Sequence, residues 1–186
     1  MSRAVLSIGS NIGDRLGHLQ SVYRYFADTG DAGTSVVGIS AVYVTSPWGG
    51  VDQQDFLNTV LIVDDPGRDA WAWLRAGQEL ERAADRHREV RWGPRTLDVD
   101  VVSVDVDGHA VVQDDPELTL PHPHAAERAF VLIPWADADS DATLPTRSAP
   151  VRVVDLIAEL PDTERTGVRR SDAVWGPMVA VPGETR

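Results

Sequence analysis

Cysteine and lysine are both absent from this chain of 186 residues. Without cysteine there are no disulfides and no thiolate metal sites. Without lysine there is no Walker-type phosphate loop, which depends on that side chain. All 17 basic residues are therefore arginine, set against 29 acidic ones, for a net charge of −12. So little positive charge argues against a general binder of nucleic acid or anionic membranes. No apolar run approaches the ~20 residues that span a bilayer. The start, Met1 to Leu6, passes straight into an apolar strand pattern with no signal-peptide core. A cytoplasmic location is expected.

What is present reads as one body of ordinary composition, 42% hydrophobic and 25% charged. Residues 1–160 are expected to form a single domain, followed by a tail (161–186) whose packing the pattern does not fix. Ala4 to Ile8 alternates as a strand, and Asp14 is placed to cap a helix that runs to about Asp28. Ser35 to Thr45 reads as one long strand, and Phe56 to Val63 as another. Arg68 to about Arg86 is a helix with Ala70, Trp73, Leu74, Gly77, Leu80 and Ala84 on its buried stripe. Asp98 to Val106 is a strand, turned at Asp107-Gly108 into a partner at Ala110 to Gln113. A short helix from Arg128 to about Trp135 is expected to break near Pro134, and Val151 to Leu160 forms a last helix. The order βαββαβ is that of a ferredoxin-like α+β sandwich: a mostly antiparallel sheet with helices on both faces.

The richest stretch runs from Arg91 to Asp100. Asp98 and Asp100, at i and i+2 of a strand, point to one face, while Leu97, Val99 and Val101 point to the other. Two carboxylates ~5 Å apart repel by about 3 kcal/mol at an effective dielectric of ~20. Hydration, a shared proton or bound cations relieve that cost. With arginines alongside, cations carrying a polyphosphate fit best. Five arginines crowd residues 82–95 (Arg82, Arg86, Arg88, Arg91, Arg95), a basic island on an acidic chain.

Several segments appear in one order: Gly9-Ser10-Asn11, Thr45 to Gly49, Asp55 to Asn58, Arg91 to Asp100, Leu118 to Pro123, and Arg128 to Leu132. Together, over about residues 4 to 160, they resemble the 6-hydroxymethyl-7,8-dihydropterin pyrophosphokinases of folate biosynthesis. The resemblance implies transfer of the terminal pyrophosphoryl group of ATP to the pterin hydroxymethyl group, with release of AMP, by a monomer using two magnesium ions. It implies that Asp98 and Asp100 hold the metal and that Arg86 and Arg95 bind phosphate, with Arg88 and Arg91 in support. Guanidinium groups suit that role through paired N–H donors.

The same resemblance makes His122 and Arg128 further ATP contacts and puts Gln78 and Glu81 near the nucleotide. It makes Phe56 and Phe130 the faces that stack on the pterin, with Asn58 at its edge and Thr45, Trp48 and Trp92 flanking the slot. Where some members carry an aromatic residue and a lysine, this chain has Pro123 and Ala126, and one residue is missing between Arg86 and Trp92. The loops at 46–54 and 86–94 are the natural lids. No residue stands out as a general base. Two rivals keep the same aspartates in play: a magnesium-dependent phosphohydrolase, and a non-catalytic nucleotide-binding module of ferredoxin-like fold.

Overall fold

In the computed structural model, residues 1–28, 33–46, 53–84, 95–146 and 148–177 are described. The chain runs through β1 (Ser2–Ser10), α1 (Arg15–Ala27), β2 (Ser35–Ile39), β3 (Tyr43–Thr45) and β4 (Phe56–Asp65). It continues with α2 (Ala70–Ala83), β5 (Asp98–Val106), β6 (His109–Ala110), β7 (Gln113–Asp114) and β8 (Thr119–Leu120). Then come α3 (Ala129–Ala138), β9 (Thr143–Leu144), β10 (Val151–Arg152), α4 (Val153–Glu159), α5 (Asp162–Thr166) and β11 (Val168–Arg170). The main sheet has the order β11-β3-β4-β1-β5-β6, with β2 also on β4, and its paired strands are antiparallel.

Strand alternation divides the interior into two cores. On β1, Ala4, Leu6 and Ile8 meet Leu19, Val22 and Phe26 of α1 and Trp73 of α2 on one face. Val5 turns to the other face, where Val60, Ile62 and Val102 pack under Val131, Leu132 and Trp135 of α3. Helices thus cover both faces. Helices α1 and α2 each start on an aspartate cap: Asp14 accepts from the Gly17 N–H (3.0 Å) and Asp69 from the Ala72 N–H (2.7 Å). Such a cap contributes about 1 kcal/mol.

Four sequence expectations need correction. The strand expected over Ser35–Thr45 breaks into β2 and β3. At the break the Ser40 hydroxyl accepts the Val60 N–H at 2.9 Å and its own N–H donates to the Val60 carbonyl, so a side chain substitutes for a ladder rung. The partner strand after the Asp107-Gly108 turn is only β6; Gln113 pairs instead with Leu120. Helix α3 does not end at Pro134 but continues to Ala138. Proline there leaves the Phe130 carbonyl without its intrahelical donor. Burial of Val131, Leu132, Pro134 and Trp135 on the sheet outweighs that loss. The last helix is shorter than Val151–Leu160, and the chain beyond it goes on through α5 to β11, which pairs with β3.

Candidate active site

The face of the sheet that holds the second core becomes polar toward one end. Phe56 and Asn58 follow the alternation of Val60 and Ile62 on β4, and Asp98 and Asp100 follow that of Val102 on β5. Between these strands lies β1, with Gly9 opposite both Asn58 and Asp98 and Ser7 opposite both Val60 and Asp100. The glycine is required: a Cβ on Gly9 would stand 2.8 Å from Asn58 Oδ1 and 3.8 Å from Phe56 Cδ1. Gly9 thus lies between an aromatic-amide pair and a carboxylate pair, which are two strand spacings or about 10 Å apart. A bulge near Val102 resets the alternation, so Val104 returns to the first core.

The carboxylates are held from several sides. Arg95 pairs with Asp98 within one turn, and Arg128 Nη1 reaches Asp100 Oδ2 at 3.4 Å. Burial, and next the neighbouring Asp98 charge, push the Asp100 carboxyl up to about 6, against the pull of Arg128 and Arg95. A carboxylate pair perturbed by burial and a like charge is a candidate functional site. Glu81 on α2 accepts the Val99 N–H at 3.0 Å, tying down the strand between the two aspartates. It can reach because Gly77, one turn earlier, lets the helix lie close; a Cβ there would be 3.2 Å from the Val99 carbonyl.

His122 donates its backbone N–H to the Val102 carbonyl at 2.8 Å, which sets its ring beside β5. Burial first, and then Arg128 and His124, push its imidazole down to about 4, so it is neutral at physiological pH. A neutral imidazole offers one donor and one acceptor. The Arg128 guanidinium lies 5.6 Å from the Phe130 ring centroid, a cation–π contact. On the far side Asn58, 5% exposed, donates its Nδ2–H to Thr45 Oγ1 at 2.6 Å.

The structure thus brings together Thr45, Asn58, Asp98, Asp100, Arg95, Arg128 and Phe130 through contacts of strand, helix and side chain. Gln78 stands apart: it is exposed on α2, and its carbonyl accepts from Arg82 Nε at 3.2 Å. Trp48, Arg86, Arg88, Arg91 and Trp92 lie outside the described residues.

One residue that organises the candidate site went unassigned in the sequence. Asn11, 1% exposed, closes the end of β1. Its Oδ1 accepts the Arg95 N–H at 2.7 Å, and its N–H donates to the Arg95 carbonyl at 3.0 Å. Its Nδ2 donates to Gln53 Oε1 (3.0 Å) and to the Gln54 carbonyl (3.2 Å). One amide therefore pins the chain on entry to both β4 and β5. Asn at the end of a buried strand was visible, but only as a turn former; its partners lie 42 to 84 residues away.

Two carboxylates on one strand face fit magnesium, which seldom takes a full cage of protein ligands. Among the described residues no group of three or more His, Cys, Asp or Glu is placed to hold a metal ion.

Residues 5–140 match the family described as 7,8-dihydro-6-hydroxymethylpterin-pyrophosphokinase (HPPK). The chain belongs to this family. It is 48% identical over 174 residues to the 2-amino-4-hydroxy-6-hydroxymethyldihydropteridine pyrophosphokinase of Mycobacterium tuberculosis, covering 91% of this chain and 89% of that protein. The enzyme of the same name from Mycobacterium leprae is 51% identical over 175 residues, 91% of this chain and 88% of that protein. That of Methylorubrum extorquens is 41% identical over 144 residues, 77% and 87% respectively. Membership makes the chain a pyrophosphokinase by family. Among the described residues no helix is long and apolar enough to cross a membrane.

Proposed function

We propose that this protein transfers the pyrophosphoryl group of ATP to the hydroxymethyl group of 6-hydroxymethyl-7,8-dihydropterin, releasing AMP, in folate biosynthesis. The observation that carries this is the shared sheet face: an aromatic-amide edge on β4 and paired carboxylates on β5, separated by Gly9. A flat heterocycle seated against Phe56 and Asn58, with Phe130 from α3 as the second face, sets its hydroxymethyl group toward the carboxylate side. Asn58 offers its Oδ1 to the ring because its Nδ2 is engaged by Thr45.

Asp98 and Asp100 are the groups that would hold two magnesium ions; bound there, the ions would supply neutralisation of the triphosphate charge. Arg95, Arg128 and the neutral His122 present donors to phosphate oxygens, joined by Arg86, with Arg88 and Arg91 in support. Trp48 and Trp92 remain candidates for pterin binding and Gln78 for nucleotide binding by their place in the sequence alone. Glu81 acts by holding β5. Catalysis then rests on position and charge rather than on covalent chemistry. The chain works as a cytoplasmic monomer without nucleic acid, on a ferredoxin-like framework. Residues 1–160 form its catalytic domain, and residues 168–170 add β11 to the edge of its sheet.

The test is AMP release from ATP and magnesium with and without the reduced hydroxymethylpterin. AMP formed only with pterin supports the proposal. Phosphate release without pterin supports a hydrolase, and stoichiometric nucleotide binding without AMP supports a binding module. Asn58→Ala and Phe130→Ala should each weaken pterin binding in a fluorescence titration; unchanged binding in both would mean that the slot is misassigned.

A further inference from the structure

The segment after α5 lies outside residues 5–140, the part matched by the family. It is nevertheless laid against the elements that carry the slot. Val168, Arg169 and Arg170 of β11 pair with Thr45, Val44 and Tyr43 of β3, and the Ser171 N–H donates to the Val42 carbonyl at 2.8 Å. Trp175, 8% exposed, packs edge-on against Tyr23 and donates its Nε1–H to the Ser40 carbonyl at 2.7 Å. Gly176 exchanges two 2.9 Å hydrogen bonds with the Gln20 amide on α1. Its φ of +87° and its contact with Ile39 leave no place for a Cβ. The two arginines of β11 reach further. Arg169 Nη2 is 3.5 Å from Asp55 Oδ2, the residue before Phe56, and Arg170 Nη1 is 3.2 Å from Asp137 Oδ1 on α3.

We infer that this strap, residues 168–177, is a positioning element for the heterocycle slot: it fixes β3, and through β3 the Thr45 hydroxyl that orients Asn58. The inference rests on the slot assignment proposed above. The physical need is plain. β3 is three residues long and pairs with β4 over those three alone. A strand so short holds its register weakly when its outer edge is open. Thr45 is its last residue, at the entrance to the segment 46–54. With β11 in place, the three-residue strand is paired on both sides, and its far end is anchored by a buried indole. The exposed pairs of Arg169 and Arg170 add little energy by themselves. Their value is alignment: one faces the base of the strand bearing Phe56, the other the helix bearing Phe130.

The alternative is that the strap only covers an edge. Two substitutions in the full chain separate these. Trp175→Phe keeps a buried ring and removes the hydrogen bond to Ser40. Gly176→Ala forces a Cβ against Ile39. AMP release is measured while pterin and ATP are titrated separately, with Asn58→Ala alongside and each strap variant repeated in a Thr45→Val background. The KM for pterin should rise about fivefold in each strap variant, with kcat and the KM for ATP within about twofold, the scale of one lost hydrogen bond. That rise should vanish once Thr45 is valine, since interacting positions are not additive. Trp175→Phe, the milder change, decides the matter if Gly176→Ala does not fold. An unchanged KM for pterin in the strap variants overturns the inference, provided Asn58→Ala raises it. So does an equal rise for both substrates, or an effect that persists beside Thr45→Val. If Asn58→Ala itself changes nothing, the slot assignment falls first and the strap's role with it.

Discussion

Asp100 offers a prediction in which stability and activity move in opposite directions. In the metal-free protein its carboxyl is pushed from an ordinary 3.8 to about 6, chiefly by burial and then by Asp98. A carboxyl that binds its proton more tightly when folded makes the fold harder to keep once it ionises. The protonated form's contribution is complete below 3.8 and is lost as pH rises through about 6. Taken at face value the shift sets a ceiling of about 3 kcal/mol at neutral pH. The side chain is still 37% exposed, so water screens much of that; about 1 kcal/mol is the realistic scale. Asp100→Asn removes the charge and keeps the shape. Thermal melts in chelator should therefore show the variant about 2–4 °C more stable than wild type at pH ~7.5. The gap should close as pH falls toward ~4, because wild type then carries its proton as well. Magnesium should narrow the gap by stabilising wild type alone, while the variant's AMP release collapses. A variant no more stable than wild type at neutral pH, or a gap indifferent to pH, would refute this account of the carboxylate pair.

Asp98→Ala should reduce turnover by about a thousandfold or more without lowering the melting temperature in chelator, read by AMP release beside a melt. Asn11→Ala leaves the Arg95 N–H and the Gln54 carbonyl without their partner. Denaturant unfolding should show a loss of roughly 2–3 kcal/mol, and turnover should fall further than the folded fraction does. Gly9→Ala puts a methyl group 2.8 Å from Asn58 Oδ1, so fluorescence titration should find pterin binding weakened about tenfold, with nucleotide binding near normal.

Much of the site was legible in sequence because its residues obey short-range rules. Asp98 and Asp100 share a face by strand alternation, and Phe56 and Asn58 share one by the same rule. The order β1, α1, β4, α2 and β5 could be read from period, cap and turn signals. What escaped depended on contacts between distant segments. Pro134 is a local stop signal, but burial of α3 on the sheet overrode it. The break at Ser40 needs Val60 of another strand to become visible. Glu81 was expected near the nucleotide from its position alone. Its bond to the Val99 N–H depends on how closely Gly77 lets α2 approach β5. Residues 161–177 mix charge and proline without clear period, so neither the pairing of β11 nor the burial of Trp175 could be foreseen.

The arrangement also accounts for how an acidic chain can receive a polyanion. A net charge of −12 repels ATP at long range, but that field is screened beyond a Debye length of ~8 Å at physiological salt. Inside the cleft the local balance decides. Asp98 is met by Arg95 and Asp100 by Arg128, while His122 stays neutral. Each guanidinium therefore already stands at the carboxylate pair before any ligand arrives, with donors to spare beyond its single carboxylate contact. Their positions are set by other parts of the chain: Arg95 by the Asn11 amide, and Arg128 by the turn that leads into α3. Groups fixed in advance need little reordering when charge develops on a transferring phosphoryl group. On the proposed site assignment, the acid–arginine pairs are where the ion pairing of the ligand-free protein and the charge compensation of the reaction draw on the same side chains.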